Sequence, residues 1–228
     1  SQVSETCEVG PFGVQYLPVT RLPRDFYAQD AVVVARALLG QRLVRILNGE
    51  RLAGRIVETE AYRGEADAAS HAARGRTPRN AVMYGPPGHA YVYFIYGMHF
   101  CLNAVTGPEG VASAVLLRAL EPLEGIATMR RLRPGRPDRE LTNGPARLCQ
   151  ALAIDRRLNG ADLVTGAELF IEADLAIPDD RVVVGPRVGV RGDAAARSAP
   201  WRFMLRDSPY LSTGISAGNI GQYSDVSV

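Results

Sequence analysis

The sequence predicts an α+β fold in which short helices pack around one antiparallel sheet. Three observations point there. Alternating, strand-like runs are joined by turn signals, above all Asn48-Gly49. Capped helical stretches are interspersed with these hairpins. Neither an internal repeat nor a clear linker interrupts the 228 residues, so a single domain spanning 1–228 is expected.

Taken in order, residues 1–16 read as a loose lead-in. "DAVVVARALLG" reads as a helix, with Asp30 as N-cap and Gly40 just past its end. "RLVRILNGERLAGRIVETEAY" reads as a hairpin turning at Asn48-Gly49. "ASHAARGRTPRN" is a loop, and "AYVYFIYGMHF" opens a second hairpin. "SAVLLRALEP" reads as a strand and "LEGIATMRRL" as a helix. In "NGPARLCQALAI" a helix is expected to open at Asn143, with Pro145 in its first turn. "DLVTGAELFIE", "RVVVG" and "WRFMLR" read as short strands. The final 212–228 stretch, like 1–16, is expected to be a loose tail.

Composition narrows the class. Hydrophobic residues make up 46% and charged residues 22%, an ordinary globular balance, and no apolar run is long enough for a membrane span. "SQVSETCEVG" has neither the basic nor the apolar region of a secretory leader, so a cytoplasmic protein is expected, associated with the nucleoid if bacterial. Cys7, Cys101 and Cys149 are odd in number and far apart. With His71, His89 and His99 they form no zinc spacing, so neither metal nor cofactor is expected.

Charge is informative through its placement. Between Ala68 and Pro108 there is no Asp or Glu, while Arg74, Arg76 and Arg79 lie in that window with Tyr84, Tyr91, Tyr93 and Tyr96. From Arg118 to Arg157 nine arginines face five acids. Such a surface suits a polyanion carrying stackable bases; a solvated basic loop is the plain alternative. All 26 basic residues are arginine; the chain has no lysine.

In "RIVETEAY" strand alternation puts Glu58, Glu60 and Tyr62 on one face and Val57, Thr59 and Ala61 on the other. Paired carboxylates can be a solvated edge, but Glu60 runs into a loop carrying a histidine, where sites are often built. In the second hairpin, a loop of Gly97, Met98 and His99 would set Tyr96 opposite Phe100 and Tyr93 opposite Asn103. A two-residue loop would pair Tyr93 with Leu102 instead. Tyr96 sits at the tip in either case, and Tyr91 reads as core.

"GRIVETEAY", the His71 that follows Tyr62 by nine residues, "TPRN", "YVYFIYGM", "LLRALEPLEG" and "GPARLCQALAI" closely resemble the alkyladenine (3-methyladenine) DNA glycosylase family, in order over most of the chain. The resemblance implies a single α+β domain with a curved antiparallel sheet and a protruding β-hairpin that enters the DNA minor groove. It implies excision of 3-alkyladenine, hypoxanthine and ethenoadenine from duplex DNA by a monomer without lyase activity. Abasic-site repair enzymes would act downstream.

By the same resemblance Glu60 is the general base and Arg118 supports it. Tyr62 and Tyr93 stack on the extruded base, His71 hydrogen-bonds its edge, and Asn103 disfavours a 2-amino group. Tyr96 fills the vacated stack. Met98 and His99 flank it as groove contacts, although a tyrosine is common where His99 stands. Arg76, Thr77 and Arg147 contact the backbone. Arg118 could equally belong to a structural ion pair. A non-catalytic nucleic-acid-binding module remains the rival class. A zinc deaminase does not, since its ligand pattern is missing.

Overall fold

A computed structural model describes residues 15–16 and 20–212. The short strands β1 (Gln15–Tyr16) and, much later, β8 (Leu175–Ala176) pair with each other. The remainder of the expected tails, 1–14 and 213–228, lies outside the described residues.

After helix α1 (Arg24–Tyr27) comes α2 (Ala31–Ala37), whose N-cap Asp30 accepts the Val32 N–H, as expected. Gly40 follows with φ +86°, and a Cβ there would meet the Leu175 carbonyl oxygen at 2.6 Å, so no other residue fits this exit. Strands β2 (Arg42–Leu47) and β3 (Glu50–Arg63) form the first hairpin. Asn48 (φ 51°) and Gly49 (φ 83°) turn left-handed between them. Next come β4 (Ala90–Ile95), β5 (His99–Thr106), β6 (Ser113–Glu124), α3 (Ile126–Leu132) and α4 (Pro145–Ala151). The chain closes with β7 (Leu169–Glu172), β9 (Val182–Gly185), α5 (Ala194–Ser198) and β10 (Arg202–Leu205). The N-cap of α4 is Gly144 and not the expected Asn143, whose side chain instead accepts from Arg147 at 2.7 Å.

Eight strands make one antiparallel sheet, ordered β4–β5–β6–β3–β10–β9, with β2 pairing β3 and β7. β3 is the spine. One of its edges pairs with β6 from Ala53 to Arg63. The other is shared: residues 50–55 pair with β2, and 58–60 with β10. The division falls at Val57, where the β3–β6 register also shifts. On β6 it is Arg118 that is skipped, so the irregularity brings Arg118 next to Glu58 and Glu60.

The alternation expected for β3 holds from Glu58 to Tyr62 and is interrupted at Val57, so that Ile56 lies in the same core as Ala61. The hydroxyl of Thr59 donates to Ala35 of α2 at 2.8 Å, so α2 covers that face and Glu58, Glu60 and Tyr62 point the other way. The core between α2, α4 and the sheet includes Val34, Leu38, Ile56, Leu120, Leu148 and Leu152, all fully buried. Each such side chain contributes roughly 1.5–3 kcal/mol. A smaller cluster of Ala72, Met83, Tyr91, Val105, Ala112 and Ala114 supports the site described next.

The β4–β5 register differs from the one expected. Tyr93 faces Cys101 and Tyr91 faces Asn103, because the loop is Tyr96-Gly97-Met98, with Ile95 opposite His99. The turn starts one residue earlier because Tyr96 itself adopts φ +54°, followed by Gly97 at +71°. Pairing partners thus change by two, which preserves faces: Tyr91, Tyr93, Cys101 and Asn103 still share one side.

Candidate active site

A cavity of about 620 Å³ opens beside this hairpin. Its wall includes Tyr62, His71, Tyr93, Tyr96, His99, Asn103 and Arg118, so seven of the twelve candidate residues come together. Glu60 lies behind the wall, fully buried, and touches three lining residues, Tyr62, Arg118 and Val188. The remaining four candidates are exposed around it. Met98 stands at the hairpin tip, Arg76 packs over the Tyr84 ring, Thr77 sits in the 64–85 loop region, and Arg147 is on α4.

Glu60 is held by three donors. The Val188 amide reaches Oε1 at 2.7 Å, Arg118 Nη1 lies 3.3 Å from Oε1, and the Tyr62 hydroxyl donates to Oε2 at 3.0 Å. The solvated-edge reading of the two carboxylates therefore fails: Glu58 and Glu60 are both 0% exposed. Burial raises the Glu60 pKa; Arg118, the Val188 N–H and the Tyr62 hydroxyl pull against it, and Glu58 reinforces it. A carboxylate so placed titrates closer to neutrality than a solvated one, as a general base requires. Arg118 both lines the cavity and belongs to a buried ion pair, bonded through Nε to Glu58 at 2.9 Å.

Glu58 has its own donors: Arg118, Arg202 Nε at 2.8 Å, and both the amide and the hydroxyl of Ser212, at 2.7 and 2.8 Å. Ser212, expected at the start of a loose tail, is instead anchored in the site. It ends the described chain on two strong acceptor contacts.

The opposite wall is aromatic. The His71 ring meets the Tyr93 ring edge-on at 4.5 Å, and His71 Nδ1 lies 2.9 Å from the Tyr91 hydroxyl. Tyr91 is therefore both core, as expected, and a support of the site. The outer part of His71 faces the open cavity and is exposed by area, yet its ring is closed in by these tyrosines. That desolvation, with the Arg79 guanidinium, lowers its pKa, so His71 is neutral at pH 7. Which of His71 Nδ1 and the Tyr91 hydroxyl donates in this contact depends on the imidazole tautomer, and Arg79 itself donates to the Phe94 carbonyl at 3.1 Å. Asn103 is buried and anchored through Nδ2 to the Tyr91 carbonyl at 3.0 Å.

Behind Tyr62 lies a stack that no sequence signal suggested. The Arg187 side chain, 0% exposed, packs 4.7 Å from the Tyr62 ring centre and 4.9 Å from that of Trp201. It forms a two-pronged pair with Asp67 and donates to the Ala61 and Ala196 carbonyls. Arg187 thereby fixes both the Tyr62 ring and the start of the 187–191 loop, which delivers the Val188 amide to Glu60.

At the tip, Tyr96 is 80% exposed and left-handed. Both properties are unfavourable for a tyrosine in isolation: a bulky side chain at positive φ is strained, and its ring gains nothing from water. Among the described residues, no group of His, Cys, Asp or Glu could hold a metal, and no helix is long and apolar enough to cross a membrane.

Comparison with known sequences identifies the family. A 3-methyladenine DNA glycosylase, so named provisionally, from Carboxydothermus hydrogenoformans is 53% identical over 191 residues, covering 84% of this chain and 98% of its own. One of the same name from Methanocella arvoryzae is 53% identical over 194 residues, covering 84% and 95%. A third, from Burkholderia cenocepacia, is 47% identical over 201 residues, covering 87% and 94%. The sequence model of the methylpurine-DNA glycosylase (MPG) family matches residues 25–209, and the chain belongs to that family.

Proposed function

We propose that this chain flips damaged purines out of duplex DNA and hydrolyses their N-glycosidic bond, with Glu60 activating the water. The observation that carries the reading is the placement of Glu60: buried, raised in pKa, and bonded to Tyr62 and Arg118, which both line an aromatic cavity. Water attacks C1′ as the base departs through an oxocarbenium-like state, and the carboxylate's charge stabilises that cation. Tyr62 and Tyr93 supply flat surfaces for the base, His71 a neutral N–H donor, and Asn103 the bulk that rejects a 2-amino group. Tyr96 occupies the gap in the duplex, which accounts for its exposed and strained state.

Water is the only nucleophile the reading needs. Glycosylases that also cut the strand attack with an amine, most often a lysine, and the chain has none. A borohydride-trapped covalent adduct with lesion DNA would contradict this.

Duplexes each carrying one hypoxanthine, ethenoadenine or 3-methyladenine, incubated with the protein and with Glu60→Gln, test the whole reading. The wild type should release the free base and leave the strand intact. The variant should bind equally and excise about 10²–10⁴-fold more slowly, the usual contribution of a general base. Excision by Glu60→Gln within a few-fold of wild type would remove Glu60 from the mechanism and leave the non-catalytic binding module as the better account.

A further inference from the structure

The three outer nitrogens of Arg118 divide among Glu58, Glu60 and Ser212, with Nε also 3.3 Å from the Ser212 hydroxyl. Nε bonds Glu58 Oε1 at 2.9 Å, Nη1 lies 3.3 Å from Glu60 Oε1, and Nη2 bonds the Ser212 hydroxyl at 3.0 Å. The hydroxyl also donates to Glu58 Oε1 at 2.8 Å, while the Ser212 amide occupies Glu58 Oε2 at 2.7 Å. An arginine beside a carboxylate normally pairs with it through two parallel N–H bonds. Here Ser212 stands where the second of those bonds would form. Without its hydroxyl, Nη2 has no hydrogen-bond partner among the described residues, and rotation toward Glu58 would satisfy it at the cost of drawing Nη1 off Glu60.

We propose that Ser212 is a positioning residue of this active site, whose hydroxyl blocks the paired Arg118–Glu58 geometry and keeps one arm of Arg118 on Glu60. Ser212 lies beyond residue 209, where the match to the family ends. It acts through Arg118 and does not touch substrate. The inference rests on Glu60 being the base, as proposed above.

Its signature is a pH profile. Groups facing Glu60 are Arg118 and Cys101 from β6 and β5, Glu58 and Tyr62 from β3, and Arg202 opposite it on β10. Arg187 stands behind Tyr62. Among these, Arg118 is the largest influence holding the Glu60 proton off. Withdrawing Nη1 makes Glu60 easier to protonate, so the acidic limb of excision moves up in pH.

The experiment is single-turnover excision of hypoxanthine from a duplex between pH 4.5 and 9 (assay conditions of about that range), for wild type, Ser212→Ala and Ser212→Thr, with melting temperatures measured alongside. Ser212→Ala should shift the acidic limb upward by about 0.5–1 unit, which costs up to about tenfold in rate below the limb and little on the plateau. Ser212→Thr keeps the hydroxyl and should restore the wild-type limb. A Ser212→Ala limb that coincides with wild type, whatever happens to the overall rate, overturns the proposal. Should Ser212→Ala fail to fold, Ser212→Cys replaces it: its weaker hydrogen bonds should give an intermediate shift, and an unmoved limb is again fatal. The two readings part cleanly. Active Glu60→Gln defeats the base assignment, whereas inactive Glu60→Gln with an unmoved Ser212→Ala limb defeats the role of Ser212 alone.

Discussion

Tyr91 opposes Asn103 across the β4–β5 hairpin, and its carbonyl holds the Asn103 amide at 3.0 Å. Its hydroxyl, at the other end of the same residue, holds His71 at 2.9 Å. One buried tyrosine thus sets both polar groups that would meet the edge of a base, and their spacing follows from the strand rather than from a loop.

Replacing Asn103 with Gly should therefore widen the cavity without disturbing His71. Excision of bases bearing a 2-amino group should appear, because a clash is removed and no contact is added. Hypoxanthine excision should stay within a few-fold. Stability should fall by about 1 kcal/mol, the usual penalty for glycine inside a strand. If hypoxanthine excision collapses while guanine-type excision stays flat, Asn103 is a positive contact instead.

Tyr96→Asn should separate stability from activity. Asparagine tolerates the left-handed backbone that Tyr96 occupies at φ +54°, so relief of strain should leave the melting temperature equal or higher. Loss of the ring should cost capture of the flipped state about 1–3 kcal/mol. Fluorescence of an extruded ethenoadenine reports that step directly, and an unchanged signal would end the wedge assignment.

The pH dependence follows from the direction of the Glu60 shift. The base must be ionised, and burial raises its pKa, so excision should climb with pH through a limb above the ordinary glutamate value of about 4.3. This limb should be common to neutral and cationic lesions, since both need activated water. His71, lowered by desolvation and Arg79, adds no limb above pH 7. Rate profiles for hypoxanthine and 3-methyladenine whose acidic limbs fall at different pH would contradict the shared base.

Arg187 offers a test of the buried stack. Arg187→Met alone strands Asp67 without its partner and should cost about 3–5 kcal/mol. Arg187→Met with Asp67→Asn removes both charges and should recover much of that loss in chemical denaturation. Activity should not recover with it, because the Tyr62 ring and the Val188 amide would still lack their support. Full recovery of excision in the double variant would reduce the pair to a stability role.

Much of this was legible in the residues, for identifiable reasons. The Asn48-Gly49 turn and the Asp30 cap are local chemistry and were read correctly. So was the shared face of Glu58, Glu60 and Tyr62, which depends only on alternation. The second hairpin was misread by one residue in its loop, because a tyrosine at positive φ breaks the propensity on which turn reading depends. The faces survived since the pairing shifted by an even number. Arg187, Val188 and Ser212 left no signal, for they reach Glu58, Glu60 and Tyr62 from more than 120 positions away in the chain. Only the folded chain brings them there.

Two of the three irregularities in the β3–β6 ladder, those on either side of Glu58, cancel. Val57 is an extra residue on one strand and Arg118 an extra residue on the other, so the pairing offset that holds from Gly54 to Ile56 returns from Thr59 to Arg63. Sequence change at this point is consequently constrained in pairs. Deleting Val57 alone, or Arg118 alone, would slide half the ladder by one position and exchange inward for outward side chains along all of it. Deleting both would yield a smoother sheet without Arg118 beside Glu60. A change of length in either strand would therefore be tolerated only if the other strand changed with it, whereas the loops around them carry no such coupling.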